Sequence, residues 1–201
     1  MATKKAAGSL QGGSPEKASV ALLLIDVIND LDFPNGPKLL HHALPAARRI
    51  AALKKRIRKS GVPVIYVNDN FGRWQSDFRG QVRHCLQDGA PGAAMVRLLL
   101  PEPEDYFVLK PKHSGFFSTS LEILLKHLGV KTLVLTGFAA DICVLYTAND
   151  AYMRDYSLIV PHDCVASETR DASRVALQQM KHHLHADIRH SSRLRLRRAS
   201  A

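Results

Sequence analysis

Short apolar runs alternate with longer stretches of helical periodicity, and this alternation constrains the fold more than any other feature of the chain. Residues 19–25 are almost uninterrupted apolar sequence, as in a central parallel strand covered on both faces. Residues 62–67, 106–109, 130–136 and 157–160 repeat the pattern. Between and after them, residues 42–59, 91–100, 118–128, 141–154 and 168–183 read as helices, and 186–188 as a short edge strand. Strands alternating with helices imply a parallel sheet with right-handed crossovers, an α/β fold. No internal repeat and no second domain are expected.

With 201 residues, 46% of them hydrophobic and 23% charged, the chain suits a single globular domain with a full core. Residues 1–17 are rich in Gly, Ser, Ala and Lys without an apolar centre, so they read as a disordered basic arm and not as a secretory signal. The domain is expected over 18–190, with 191–201 as a basic tail. No apolar stretch approaches the ~20 residues of a membrane helix, so no membrane partner is expected. Three scattered cysteines, Cys85, Cys143 and Cys164, suit a reducing compartment and hence the cytoplasm. The net charge of +10 raises nucleic-acid binding as a rival reading. Of the 28 basic residues, however, seven lie at positions 4, 5, 17, 193, 195, 197 and 198, and seven more in the predicted helix between Arg48 and Lys59. No aromatic residue is interleaved with them, so solvated tails and a solvated helix face are the better account, with no specific nucleic-acid partner.

The run 130–136 ends at Thr136-Gly137 and leads through small residues to Asp141, which reads as a helix N-cap. Cys143 then falls in the first turn, where free N–H groups and the helix dipole favour a thiolate. In open α/β sheets, ligands bind beyond the carboxyl ends of the strands. Three different strands lead there to Asp26, Lys110 and Cys143. Lys110 would stabilise a Cys143 thiolate and lower its pKa. Asp26 could take the thiol proton and hand it to a leaving group, and the N–H groups of Ala139 and Cys143 could hold an oxyanion. The same residues also fit a plain Asp–Lys ion pair at the sheet edge beside an inert cysteine.

Three ordered motifs, Leu24-Ile25-Asp26-Val27, Lys110-x-x-x-Ser114-Gly115-Phe116-Phe117-x-Thr119-x-Leu121 and Thr136-Gly137-x-Ala139-x-x-x-Cys143-Val144, resemble the isochorismatase-like cysteine hydrolase superfamily over about residues 19–190. That resemblance implies a three-layer Rossmann-like fold with a mostly parallel six-stranded sheet flanked by helices. It also implies an Asp26–Lys110–Cys143 triad, a cis peptide between Phe138 and Ala139, and assembly into a homo-oligomer. The family lysine stands four residues before the serine of the second motif, which selects Lys110 over Lys112.

The departures from the family pattern narrow the activity. Related nicotinamidases carry an Asp-x-His stretch after the second strand, with further histidines that hold a metal. Here that stretch reads Asn68-Asp69-Asn70-Phe71-Gly72-Arg73-Trp74, so no metal and no cofactor are expected. Ile28 stands where the family commonly has glutamine. Cysteine-lacking relatives hydrolyse a vinyl ether; keeping Cys143 favours covalent hydrolysis of an amide, carbamate or ureide. A vinyl-ether hydrolase and a catalytically silent binding protein are the alternatives. Phe33, Asn70, Phe71, Trp74 and Phe116 are the candidate substrate contacts for a small molecule, and Arg73 or Arg79 could read an acidic one.

Overall fold

A computed structural model describes residues 18–195 apart from 73, 75 and 76. The predicted arm 1–17, residues 196–201 of the predicted tail, and Arg73 lie outside the described residues. The elements run β1 (Val20–Ile25), α1 (Gly36–Arg58), β2 (Val64–Asp69), α2 (Phe78–Cys85), α3 (Ala93–Leu98), β3 (Tyr106–Lys110), α4 (Leu121–Leu128) and β4 (Thr132–Phe138). They continue with a π-helical turn (Ala140–Val144), α5 (Leu145–Tyr152), β5 (Ser157–Ile159), β6 (Val165–Ala166), α6 (Arg170–His183) and a 3-10 turn (Ser191–Arg193). Among the described residues no helix is long and apolar enough to cross a membrane.

Six parallel strands form one sheet in the order β3-β2-β1-β4-β5, and β6 pairs with β4 beyond the end of β5. Because side chains alternate across a strand, β1 feeds two cores at once. Leu22 and Leu24 pack with Ile50, Leu53, Tyr66 and Met95 under α1, α2 and α3. Leu23 and Ile25 pack with Leu125, Val144, Ala148 and Met180 under α4, α5 and α6. This makes the three layers that the sequence predicts. The helix ends follow from local chemistry: Thr169 caps α6 through the Ala172 N–H, and Gly129 closes α4 at φ +74°.

Several boundaries differ from the sequence expectation. Helix α1 begins at Gly36, with Pro37 in its first turn, and tolerates Pro45 on its exposed side. Helix α2 is not expected from the sequence, and only Phe78, Gln81 and Cys85 of it are buried. Residues 186–188 form no strand; one bridge joins Asp187 to Ile159. The packed chain also continues past 190, because Asp163 accepts hydrogen bonds from the Ser191 N–H at 2.7 Å and hydroxyl at 2.6 Å, and Leu194 is buried.

Candidate active site

Four adjacent strands end at one edge and deliver the chemistry there. Lys110 closes β3 and is paired with Asp69, which closes β2. Asp26 follows the last residue of β1, whose Ile25 is paired with Val67 on one side and Gly137 on the other. Cys143 lies in the π-helical turn just after β4. Sheet register therefore brings together residues that are more than a hundred positions apart.

The contacts are close. Asp26 takes a left-handed backbone conformation, φ +50°, which is uncommon for a residue with a side chain and turns the chain sharply out of β1. One of its carboxylate oxygens accepts the Asp69 backbone N–H at 2.6 Å, and the other lies 2.9 Å from Lys110 Nζ. The Lys110 side chain is fully buried. Its ammonium also lies 3.6 Å from Cys143 Sγ and 3.5 Å from the Asp69 carboxylate, and donates to the Lys112 carbonyl at 3.1 Å. Asp26 and Cys143 thus converge on one ammonium. Lys112 is exposed, so its contribution is a carbonyl and not a charge.

Burial sets the protonation of this cluster. It disfavours the thiolate and, with the Asp26 charge beside it, pushes the Cys143 pKa well above that of an ordinary thiol despite the opposing Lys110 ammonium. Lys110 thus acts on the thiol in the expected direction but is outweighed by burial and Asp26, and the resting thiol keeps its proton. Burial also raises the Asp26 pKa above the usual carboxylate range, against the pull of Lys110. Burial works against the Lys110 ammonium too, but the Asp26 carboxylate foremost, with Asp69, outweighs it and holds its pKa up.

A second set of residues fixes this geometry. The Asn68 side chain accepts the Ile28 N–H at 3.0 Å and donates to the Ile28 carbonyl at 2.9 Å, which pins the loop leaving Asp26. The Thr147 hydroxyl donates to the Cys143 carbonyl at 2.7 Å and accepts the Gly115 N–H at 3.0 Å. The second sequence motif is thereby tied to the cysteine loop, and Ser114 bonds Asp150 on the same helix. Asp141 bonds Ser167 and does not cap the turn. The Phe138–Ala139 peptide, where the resemblance implies a cis bond, is cis. Asn68 and Thr147 are absent from the sequence-predicted site; a buried asparagine ending an apolar strand was the available signal for the first.

The predicted substrate contacts divide. Phe33 and Phe71 line a cavity of about 410 Å³ together with Asp30, Asp32, Gln81 and His84. Asn70 spends its side-chain oxygen on the Gly72 N–H at 2.9 Å, shaping the turn. Trp74 is 78% exposed and does not line that cavity. Phe116 is a correction: it is 6% exposed and packs in the core, with the Arg154 guanidinium 4.9 Å over its ring. The neighbouring Phe117 is 55% exposed, because the Ser114 hydroxyl accepts the Phe116 N–H and turns the chain there. Cys85 and Cys164 are buried in the core under α1, away from Cys143.

A larger cavity of about 690 Å³ lies between α1 and α6, lined by His41, His42, Arg49, His162 and Arg170 among others, and contains none of the triad residues. Among the described residues, no three of His, Cys, Asp and Glu come together as a metal site.

Comparison with known proteins places this geometry. A sequence model of the isochorismatase domain matches residues 20–191. An uncharacterised isochorismatase family protein of Bacillus subtilis is 40% identical over 172 residues, which cover 86% of this chain and 94% of that one. A ureidoacrylate amidohydrolase of Methylorubrum extorquens is 32% identical over 158 residues, covering 67% of this chain and 61% of the relative. The crystal structure of the N-carbamoylsarcosine amidase of Thermoplasma acidophilum superposes with a TM-score of 0.67 at 27% identity, over 89% of this chain and 99% of that one. The motifs, the sheet order and these matches agree: the chain belongs to the isochorismatase family of hydrolases.

Proposed function

We propose that this protein hydrolyses the C–N bond of a small amide, carbamate or ureide through a thioester on Cys143. The observation that carries the reading is the Lys110 ammonium standing 2.9 Å from the Asp26 carboxylate and 3.6 Å from the Cys143 sulfur, which brings acid and thiol to one buried charge. The ureidoacrylate amidohydrolase and the N-carbamoylsarcosine amidase among the similar proteins support the bond class.

The chemistry follows from the protonation state. A protonated thiol is a weak nucleophile, so attack on the carbonyl carbon is coupled to transfer of its proton to Asp26. The carbonyl oxygen becomes an oxyanion, received by the N–H groups of Ala139 and Cys143. Collapse breaks the C–N bond, and the departing nitrogen takes the proton from Asp26. Water then attacks the thioester, gives a proton to Asp26, and the acid leaves as that proton returns to sulfur. Lys110 stays charged throughout, offsetting the Asp26 carboxylate and each charge that develops on sulfur. These steps draw only on side chains and backbone of this chain. A reducing cytoplasm, which keeps Cys143 a thiol, fits this chemistry. The exposed Ile142 and Tyr146 flank Cys143 on the surface and support assembly of two or more copies around this edge.

The test starts from a panel of small amides, carbamates and ureides, assayed by ammonia release with and without EDTA. The substrate found is then compared with its N-methyl analogue in the presence of hydroxylamine. A thioester common to both predicts the same ratio of hydroxamate to acid from the two leaving groups, indifferent to EDTA. Ratios that differ with the leaving amine would sink the covalent reading.

A further inference from the structure

Among the described residues, the cavity lined by Phe33 and Phe71 carries more carboxylates than cations, and it reaches Asp26, Lys110 and Cys143 only through Asp69. Asp69 joins the two: its carboxylate stands 3.5 Å from Lys110 Nζ, and its carbonyl accepts the Gln81 side-chain N–H at 3.0 Å from the cavity wall. At the triad, the Lys110 ammonium faces both Asp26 and Asp69, so one positive charge meets two carboxylates. On the cavity wall stand Asp30 and Asp32, and His84 is the only basic side chain there among the described residues. His84 is already bound to Asp30 at 2.9 Å. Asp32 forms no ion pair among the described residues, and the Gln81 side-chain oxygen is buried without a hydrogen-bond donor. An acceptor without a donor favours a ligand that brings N–H groups, and uncompensated carboxylates repel one that brings another carboxylate.

Building on the amide-hydrolase reading, we propose that the substrate is neutral or cationic and rich in hydrogen-bond donors, with the cavity formed by Asp30, Asp32, Phe33, Phe71 and Gln81 holding the part remote from the scissile bond. Phe33 and Phe71 supply an apolar surface for its body, and the carboxylates select its charge. The relatives make this a departure, since ureidoacrylate and N-carbamoylsarcosine, named in two of the similar proteins, both carry a carboxylate.

The test needs no knowledge of the substrate. Methanethiosulfonates transfer a thiol-reactive group to a cysteine sulfur, forming a disulfide and releasing methanesulfinate. Two of similar size differ in charge, one transferring ethyltrimethylammonium and the other ethylsulfonate. Their rates at Cys143, followed by mass spectrometry against a Cys143→Ala control, are divided by their rates with 2-mercaptoethanol. The cation is expected to be favoured over the anion by about tenfold or more at low ionic strength, with the preference shrinking as salt is added. It is also expected to fall several-fold in the Asp30→Asn/Asp32→Asn double variant. A ratio at or below the free-thiol reference overturns the proposal, as does a cation preference unchanged by both salt and the double variant. An anion preference that vanishes in Arg73→Ala overturns it and assigns a carboxylate clamp to that residue. A Cys143 inert to both reagents overturns the proposal together with the nucleophile assignment. Amide hydrolysis that survives Cys143→Ala defeats the amide-hydrolase reading alone, leaving the charge preference of the cavity as measured.

Discussion

Lys110 Nζ lies 2.9 Å from the Asp26 carboxylate, and both side chains are buried at the carboxyl edge of the sheet. A buried charge that loses its partner costs more than the pair contributes. The Lys110→Met variant is therefore expected to lose roughly 3–5 kcal/mol of stability as well as activity. Adding Asp26→Asn removes the stranded carboxylate and recovers part of that stability without recovering turnover. Urea unfolding of the two singles and the double checks this; losses that simply add would show that the pair is not coupled.

The proposed mechanism requires Asp26 to be ionised to accept the thiol proton, and burial raises its pKa above the usual carboxylate range. Its ionised fraction, and with it kcat/KM, therefore rises with pH along an acid limb whose midpoint lies above the ordinary Asp value. Because the charges of Asp26 and Cys143 act on each other, the midpoint belongs to the pair and not to either residue. Asp26→Asn should lower kcat by about 10²–10⁴-fold and abolish the acid limb, leaving KM little changed. A limb that persists in the variant would assign it to another group.

Gly137 pairs with Ile25 one residue before Asp26, and it holds φ +120°. A Cβ there would sit 2.0 Å from the Ile25 carbonyl oxygen, so β1 and β4 approach closely only because the position is glycine. Gly137→Ala is expected to cost about 4 kcal/mol or more, or to prevent folding. Circular dichroism and thermal melting report it; a variant melting within a few degrees of the wild type would contradict the packing described.

The sheet was legible because its central strands, β1, β2 and β4, are buried on both faces and read as continuous apolar runs, and the meeting of Asp26, Lys110 and Cys143 at one edge was legible because each interrupts or follows such a run. What escaped was held by tertiary contacts. Helix α2 offers few apolar residues, so its short buried stripe is too sparse to register as a period. Strand β6 is two residues long and exists by pairing with Gly137 and Phe138. The π-helical turn has no pattern of its own and puts Asp141 against Ser167 in place of a cap. Phe116 turns into the core because a hydroxyl-bonded turn rotates the chain there, a local choice that hydrophobicity alone does not encode. The net shift of the thiol pKa was not legible because spacing revealed the neighbouring lysine but not the depth of burial that outweighs it.

The central claim is that Cys143 is the nucleophile, and the most direct measurement is the turnover of a cleaved amide by wild-type protein and by Cys143→Ala, with the fold of the variant verified by circular dichroism. The account predicts a fall of about 10³-fold or more in kcat for a folded variant. A folded Cys143→Ala protein that keeps its turnover within tenfold of wild type would contradict it.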